Sequence, residues 1–214
     1  NDVQGGNIFY LTAASNATEN GTVTFRNLQV SNNIRSATIP VSQVLAIHFV
    51  MDTSVVSGLM EISNCTFEQN LYSPMDGLDD KSGTIVSVQV ESGVDFYLNM
   101  ADIVINDNHG GDSGMILVAN ADISNSGIVI DIDRLTASGN DVYNAAATGA
   151  VLFAGGVSRL TITNSAFESN RVLSGATGMG LVVDVSFLGT NHISWNNVSF
   201  IGSNNPVQLT GALG

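Results

Sequence analysis

Apolar and polar residues alternate along this chain in short runs, and one such run recurs. In Leu160 to Asn170, Leu160 and Ile162 alternate with Thr161 and Thr163; Phe167 and Asn170 follow at fixed distances. A period of two sends successive side chains to opposite faces of a strand. The same phrase is written at Val23 to Asn33, Met60 to Asn70, Leu98 to Asn108, Ile130 to Asn140 and Ile193 to Ser203. Its third residues, Phe25, Ile62, Met100, Ile132, Ile162 and Trp195, are spaced 37, 38, 32, 30 and 33 residues apart. Such a period marks an architecture in which each unit buries its apolar face only against its neighbours. β-Branched residues are frequent, as in Thr22 to Phe25 and Ile128 to Ile132. No window carries the sustained i, i+3, i+4, i+7 stripe of a helix.

Aligned copies form columns. Four are inward: Val23 to Ile193, Phe25 to Trp195, a third with Leu28, Cys65, Ile103, Leu135, Ser165 and Val198, and a fourth with Val30, Phe67, Ile105, Ala137, Phe167 and Phe200. Like residues at a fixed repeat imply parallel coils stacked in register at the ~4.8 Å strand spacing. A fifth column is polar: Asn33, Asn70, Asn108, Asn140, Asn170 and Ser203. Asn there predicts a tight bend with unusual backbone angles and amide bonds passed along the column. Asn27, Asn64, Asp102, Arg134, Asn164 and Asn197 make a second, less pure ladder. A strand is expected before each copy, at Asn7 to Leu11, Val44 to Met51, Gly83 to Val90, Met115 to Ala119, Ala150 to Ala154 and Gly180 to Phe187. One more is expected at Pro206 to Thr210. The prediction is an all-β parallel solenoid of about six coils, with three short strands per coil. Leu71 to Ser82, Asp141 to Thr148 and Arg171 to Thr177 are expected as loops along one edge, beside Asn106 to Ser113.

These columns resemble the right-handed parallel β-helix of the pectin-lyase-like superfamily. The Asn-x-x-Phe-x-x-Asn phrase, as in Asn64 to Asn70 and Asn164 to Asn170, is similar to the repeat of polymorphic outer-membrane proteins and large secreted β-helix proteins. The Gly5 to Phe9 run resembles the Gly-Gly-x-Ile phrase that accompanies it. The resemblance spans nearly the whole chain and implies a right-handed β-helix of roughly triangular section. It implies little about function, because one solenoid hosts many tasks.

Composition narrows the class. The 214 residues fit one domain, 1–214, or one segment of a longer solenoid, and 44 % apolar residues suffice for a continuous core. The net charge is −13, with only six Lys and Arg. Nucleic acid and anionic membrane surfaces are therefore disfavoured as partners, since both need clustered cations. No run approaches the ~20 apolar residues of a membrane span. The chain opens on Asn1 without an apolar leader, which suggests a processed product or a fragment. The lone Cys65, on an inward column, reads as a small buried hydrophobe. Sequons for N-glycosylation begin at Asn16, Asn20, Asn64 and Asn197. Asn16 and Asn20 sit in a polar loop and are the preferred acceptors, whereas Asn64 and Asn197 occupy ladder positions.

Candidate chemistry is sparse. Asp76, Asp79 and Asp80, joined by Asp107 and Asp112 of the next coil, offer oxygens to a calcium ion. An ordinary solvated acidic face is the preferred explanation. Asp131 and Asp133, or Asp79 and Asp80, are the carboxyl pairs that a polysaccharide hydrolase would need. The remaining outward positions, Thr24, Arg26, Glu61, Ser63, Asn99, Ala101, Thr161, Thr163, Ser194 and Asn196, lack the crowd of Arg, Lys, His and aromatic residues that grips a uronic acid polymer. His48, His109 and His192 are too scattered for a metal set. Trp195 is expected in the core, and Thr161 with Thr163 makes a single rung, too little for an ice-binding face. The expectation is a secreted, glycosylated, non-enzymatic structural or adhesive β-helix without catalytic residues. It would be covered at its ends by copies of itself or by flanking coils, as in an extracellular filament or coat. The alternative is a carbohydrate-binding or polysaccharide-cleaving β-helix.

Overall fold

The computed structural model describes residues 9–13, 21–36, 47–51, 57–73, 85–90, 94–109, 115–120, 127–144, 151–174, 181–202 and 205–210. Sixteen strands and no helix occur among them, and every ladder between strands is parallel. The chain is a parallel β-solenoid, as the repeat predicts.

The strands stack in three strips. The first strip holds β1 (Phe9–Ala13), β5 (Ile47–Met51), β8 (Val86–Val90), β10 (Ile116–Asn120), the opening of β13 (Leu152–Glu168), the opening of β15 (Leu181–Ile201) and β16 (Asn205–Thr210). These are the strands expected before each copy of the phrase. The second strip holds the phrase itself. It runs through β2 (Gly21–Arg26) with β3 (Gln29–Ser31), then β6 (Ser57–Glu68), β9 (Asp95–Asn106), β11 (Ile128–Ser138), β13 and β15. The third strip contains β4 (Ile34–Ser36), β7 (Leu71–Ser73), β12 (Asp141–Asn144) and β14 (Arg171–Ser174). Leu71, Asp141 and Arg171 were expected to open loops. Instead each opens a short strand just past the Asn bend. His109 bridges the gap in this strip, pairing with both Leu71 and Asp141.

Register carries the packing. Val23, Met60, Leu98, Ile130, Leu160 and Ile193 are Cα partners in turn, and so are Phe25, Ile62, Met100, Ile132, Ile162 and Trp195. The Val30 to Phe200 column also stacks rung on rung. Met60, Leu98, Ile130 and Leu160 are wholly buried, as are Phe67 and Phe167. Burial of a side chain of this size stabilises by about 1.5–3 kcal/mol. Phe167 stacks on Phe200 with ring centroids 5.0 Å apart and planes 10° from parallel. The end rungs differ: Val23, Phe25 and Leu28 at one end, and Ile193, Trp195, Val198 and Phe200 at the other, are only partly buried.

Two backbone kinks shape each coil. Asn27, Asn64, Asp102, Arg134, Asn164 and Asn197 all adopt φ between 50° and 58°. That left-handed conformation suits Asn and Asp, whose short polar side chains tolerate it. Asn32, Gln69, Asp107, Gly139, Ser169 and Gly202 make a second such column. The Asn33 to Asn170 positions were expected to take the unusual angles themselves. The turn is instead made by the residue before each of them, and the Asn stands just after it with its amide aimed inward.

Candidate functional site

Three features are built from polar side chains on this frame. The first is internal. Asn33, Asn70, Asn108 and Asn140 each donate a side-chain N–H to the Oδ1 of the Asn one coil on, at 2.9, 2.8, 3.0 and 2.8 Å. Each also donates its backbone N–H to that same oxygen, at 3.1–3.2 Å. The second amide N–H points back, from Asn70, Asn108, Asn140 and Asn170 to the carbonyls of Val30, Phe67, Ile105 and Ala137. Asn108 and Asn140 have no exposed surface. Their full hydrogen-bond capacity is met, which is what makes a buried amide column tolerable. This is a structural element, not a reactive one.

The second feature lies on the third strip. Asp141, almost fully buried, accepts two bonds from Arg171, at 2.7 Å each, and lies 3.1 Å from His109 Nδ1. Three successive coils are thus tied by one carboxylate.

The third feature is the outward face of the phrase strip. A groove of about 300 Å³ opens there, lined by Arg26, Glu61, Ser63, Asn99, Ala101, Asp131, Asp133, Thr161 and Thr163. Its cause is steric. Asn99 and Ala101 are short, and they lie in register between Glu61 and Ser63 on one side and Asp131 and Asp133 on the other. The charged residues around it are paired. Arg26 reaches Glu61 at 3.4 Å, and Arg159 reaches Asp131 at 2.7 Å. Arg134 grips Asp102 through two nitrogens, at 2.6 and 2.9 Å, and also contacts Asp133. Asp133 further accepts from Thr163 and Asn164, at 2.7 and 2.9 Å. The hydrogen bonds from Arg134 hold the Asp102 carboxyl below the usual carboxylate range, and the Arg134 guanidinium is raised in return.

The sequence candidates fall as follows. Asp76, Asp79, Asp80 and Asp112 lie outside the described residues, as do Asn16 and Asn20. Asp107 is exposed at φ 51°, and its carboxylate fills the space that a side chain on Gly139 would need. Among the described residues no group of three or more His, Cys, Asp and Glu is placed to hold a metal ion. Asn64 and Asn197 are exposed at left-handed corners; Asn64 donates to Asn27 at 2.6 Å and Asn197 to Asn164 at 3.1 Å. His192 is exposed beside Arg159, and only the backbone of His48 is described, on β5. Cys65 is buried, its thiol directed at the Ser63 carbonyl at 3.2 Å, and burial pushes its pKa up. Ser165, one of its column mates, uses its hydroxyl in the same way on Thr163 at 2.7 Å. Tyr97, 41 % exposed on the outward face, escaped the sequence reading. The signal was present, since Tyr97 precedes Asn99 by two positions in a strand of period two.

No family model matches the chain, and neither a curated protein nor a solved structure matches it. The class therefore rests on the fold: a parallel β-solenoid with an Asn-laddered interior and a shallow outward groove.

Proposed function

We propose that this chain is a non-enzymatic structural or adhesive part of a secreted, glycosylated β-solenoid. We place it near the pectin-lyase-like β-helices in coil plan, and near polymorphic outer-membrane proteins in its repeated phrase. The observation that carries the proposal is the Asn column, which links five consecutive coils by unbroken amide bonds of one polarity. Such a column rewards indefinite stacking, because each added coil satisfies the donor and acceptor that the last one presents. The partly buried apolar rungs at either end offer surface for a further coil, supplied by another copy of the chain or by more of the same chain. A contact of that kind is heterologous and does not close, so repetition yields a filament or coat.

The outward face supports the non-enzymatic half. Arg26, Arg134 and Arg159 are already committed to carboxylates, so a uronate would have to displace an internal partner to be gripped. Asp131 and Asp133, the carboxyl pair a hydrolase would need, are themselves held by Arg159 and by Arg134 with Thr163. Neither calcium nor any other cofactor enters this reading.

Electron microscopy of the native material tests it. Rods or a sheet-like coat are expected. Dispersed single particles, monodisperse at high concentration with bare end rungs, would refute assembly. Incubation with pectin, polygalacturonate and alginate, with and without calcium, is expected to release nothing. Uronide absorbance or new reducing ends, lost on Asp131→Asn, would refute the non-enzymatic reading.

A further inference from the structure

We propose that Asn64 and Asn197, both on the left-handed corner column, carry N-linked glycans that keep that edge of the solenoid clear of lateral contacts. The inference rests on the secreted, glycosylated reading above and assigns acceptors for it, where sequence alone favours Asn16 and Asn20. The two Asn columns use their amides differently. In the inner column, Asn70, Asn108 and Asn140 each commit both side-chain hydrogens, one to the next Asn and one to a backbone carbonyl. A sugar on any of these nitrogens would cut the column. At the corners only one hydrogen is committed: Asn64 donates to Asn27 and Asn197 to Asn164. One coil beyond Asn64, Asp102 gives both carboxylate oxygens to Arg134, so among the described residues nothing claims the second Asn64 hydrogen. Asn64 and Asn197 are both exposed.

The sequons follow this division. The residue two beyond each corner falls on one outward column, Gln29, Thr66, Val104, Thr136, Ala166 and Ser199. Thr66 and Ser199 complete the sequons of Asn64 and Asn197. Their hydroxyls bond no described group, and Val104 and Ala166 fill the same column without one, so packing does not require a hydroxyl there. No Asn of the inner column has Ser or Thr two residues on; Arg35, Tyr72, Gly110, Val142 and Val172 stand there instead. Attachment takes a lipid-diphosphate-linked oligosaccharide as donor. A bond forms between Nδ2 and the anomeric carbon of the first sugar, and the bond from that carbon to the diphosphate breaks. The lipid diphosphate leaves with the electron pair, and Nδ2 releases one proton. The secondary amide so formed keeps one N–H, which is all that the corner bond to Asn27 or Asn164 needs. Asn64 and Asn197 stand four rungs apart on the corner column, roughly 19 Å at the ~4.8 Å strand spacing, so two bulky hydrated groups shield one edge.

The test treats the native protein with a glycan-releasing amidase in heavy-oxygen water, which returns each glycan-bearing Asn as a labelled Asp, and reads its peptides by mass spectrometry. Enzyme-dependent label at both Asn64 and Asn197 is expected. Thr66→Val and Ser199→Ala, made in the native host, should each abolish label at their own Asn. The thermal midpoint of the deglycosylated protein should not move, since neither hydroxyl holds the fold. By light scattering, the double variant should associate side by side at lower salt than the native protein does. Absence of label at Asn64 or at Asn197 overturns the assignment, and an unchanged salt threshold overturns the shielding role. Label at Asn16 or Asn20 with both corner residues bare refutes this proposal and leaves the glycosylated reading standing; no label at any of the four refutes both.

Discussion

Replacing Asn140 with Leu tests the amide column where it is most enclosed. Asn140 takes part in four side-chain hydrogen bonds. Its Oδ1 accepts from the Asn108 backbone N–H at 3.1 Å and the Asn108 amide at 3.0 Å; its Nδ2 donates to Asn170 Oδ1 at 2.8 Å and to the Ile105 carbonyl at 2.6 Å. Leucine is close in size and apolar, so packing is nearly kept and the polar loss is isolated. Asn170 Oδ1 retains the Asn140 backbone N–H as a partner. The two Asn108 donors retain nothing, and Asn108 has no exposed surface through which water could replace them. Each orphaned buried donor costs about 1–3 kcal/mol, which gives about 2–6 kcal/mol for the substitution. Urea unfolding should be followed both by circular dichroism and by the fluorescence of Trp195, the single tryptophan. Coincident transitions would license a two-state treatment in a protein built of repeats. The midpoint should fall at constant slope. Ser194→Ala, on an exposed position of the phrase strip, should change it by less than about 0.5 kcal/mol. A loss below about 1 kcal/mol for Asn140→Leu would refute the claim that this column is a closed, fully satisfied network.

Other substitutions probe the remaining layers. Phe167→Ala removes a wholly buried ring stacked on Phe200 and should cost about 3–5 kcal/mol by urea unfolding, whereas Thr163→Ala on the outward face should cost less than about 1 kcal/mol. Equal losses would invert the assignment of faces. The Asp102 carboxyl should titrate below ordinary aspartates when followed by carbon NMR, and Arg134→Gln should return it toward the usual range. A carboxyl depressed on folding favours the folded state above its unfolded pKa, so this contribution should fade as pH falls through the folded value. Cys65 should resist iodoacetamide in the folded protein and react on unfolding, since its thiol is buried and its pKa raised. The unfolded chain loses that proton first, so the same burial should lower stability as pH rises above the ordinary thiol range.

How much of this was legible depended on the length scale of the signal. The inward columns were readable because alternation and the repeat agree: Leu160 and Ile162 mark one strand, and five other copies confirm the face. The corners were not. Six residue types share the two left-handed columns, from Asn27 to Arg134 and from Gln69 to Gly202, because a positive φ needs only a tolerant backbone and an exposed side chain. The Asn of the ladder looked like the turn residue because both roles favour Asn, and only the backbone angles separate them. The third strip was hidden by the loop-like stretches that follow it, acidic after Ser73 and rich in Ala and Gly after Asn144 and Ser174. Its trace was faint: Ile34 and Leu71 share a column with His109, Asp141 and Arg171, which are polar, and the apolar Val142 and Val172 lie one position further on. The groove could not be read at all. It arises from differences in side-chain length between rungs, Ala101 beside Asp133 and Asn99 beside Glu61, and no single copy of the phrase contains that contrast.

The distribution of charge gives the proposed assembly a direction. The net charge of −13 is spread over a chain in which Arg26, Arg134, Arg159 and Arg171 are already neutralised by neighbouring carboxylates. Two solenoids approaching side by side therefore meet as like-charged surfaces, and repulsion keeps them apart at low ionic strength. The end rungs are different. At one end the phrase strand presents Thr22, Thr24 and Arg26 around Val23 and Phe25; at the other it presents His192, Ser194 and Asn196 around Ile193 and Trp195. Neither set contains a carboxylate, so stacking end on end escapes most of the repulsion and buries apolar surface. Axial contacts should consequently depend little on salt, and lateral ones strongly, since the screening length falls from about 30 Å at 0.01 M to about 3 Å at 1 M. Light scattering and microscopy across that range should show single filaments at low salt and bundles at high salt, with filament length little changed. Filaments that shorten or dissolve as salt rises would mean that charge pairs rather than apolar rungs hold the coils end to end, and the axial contact would have to be placed elsewhere on the solenoid.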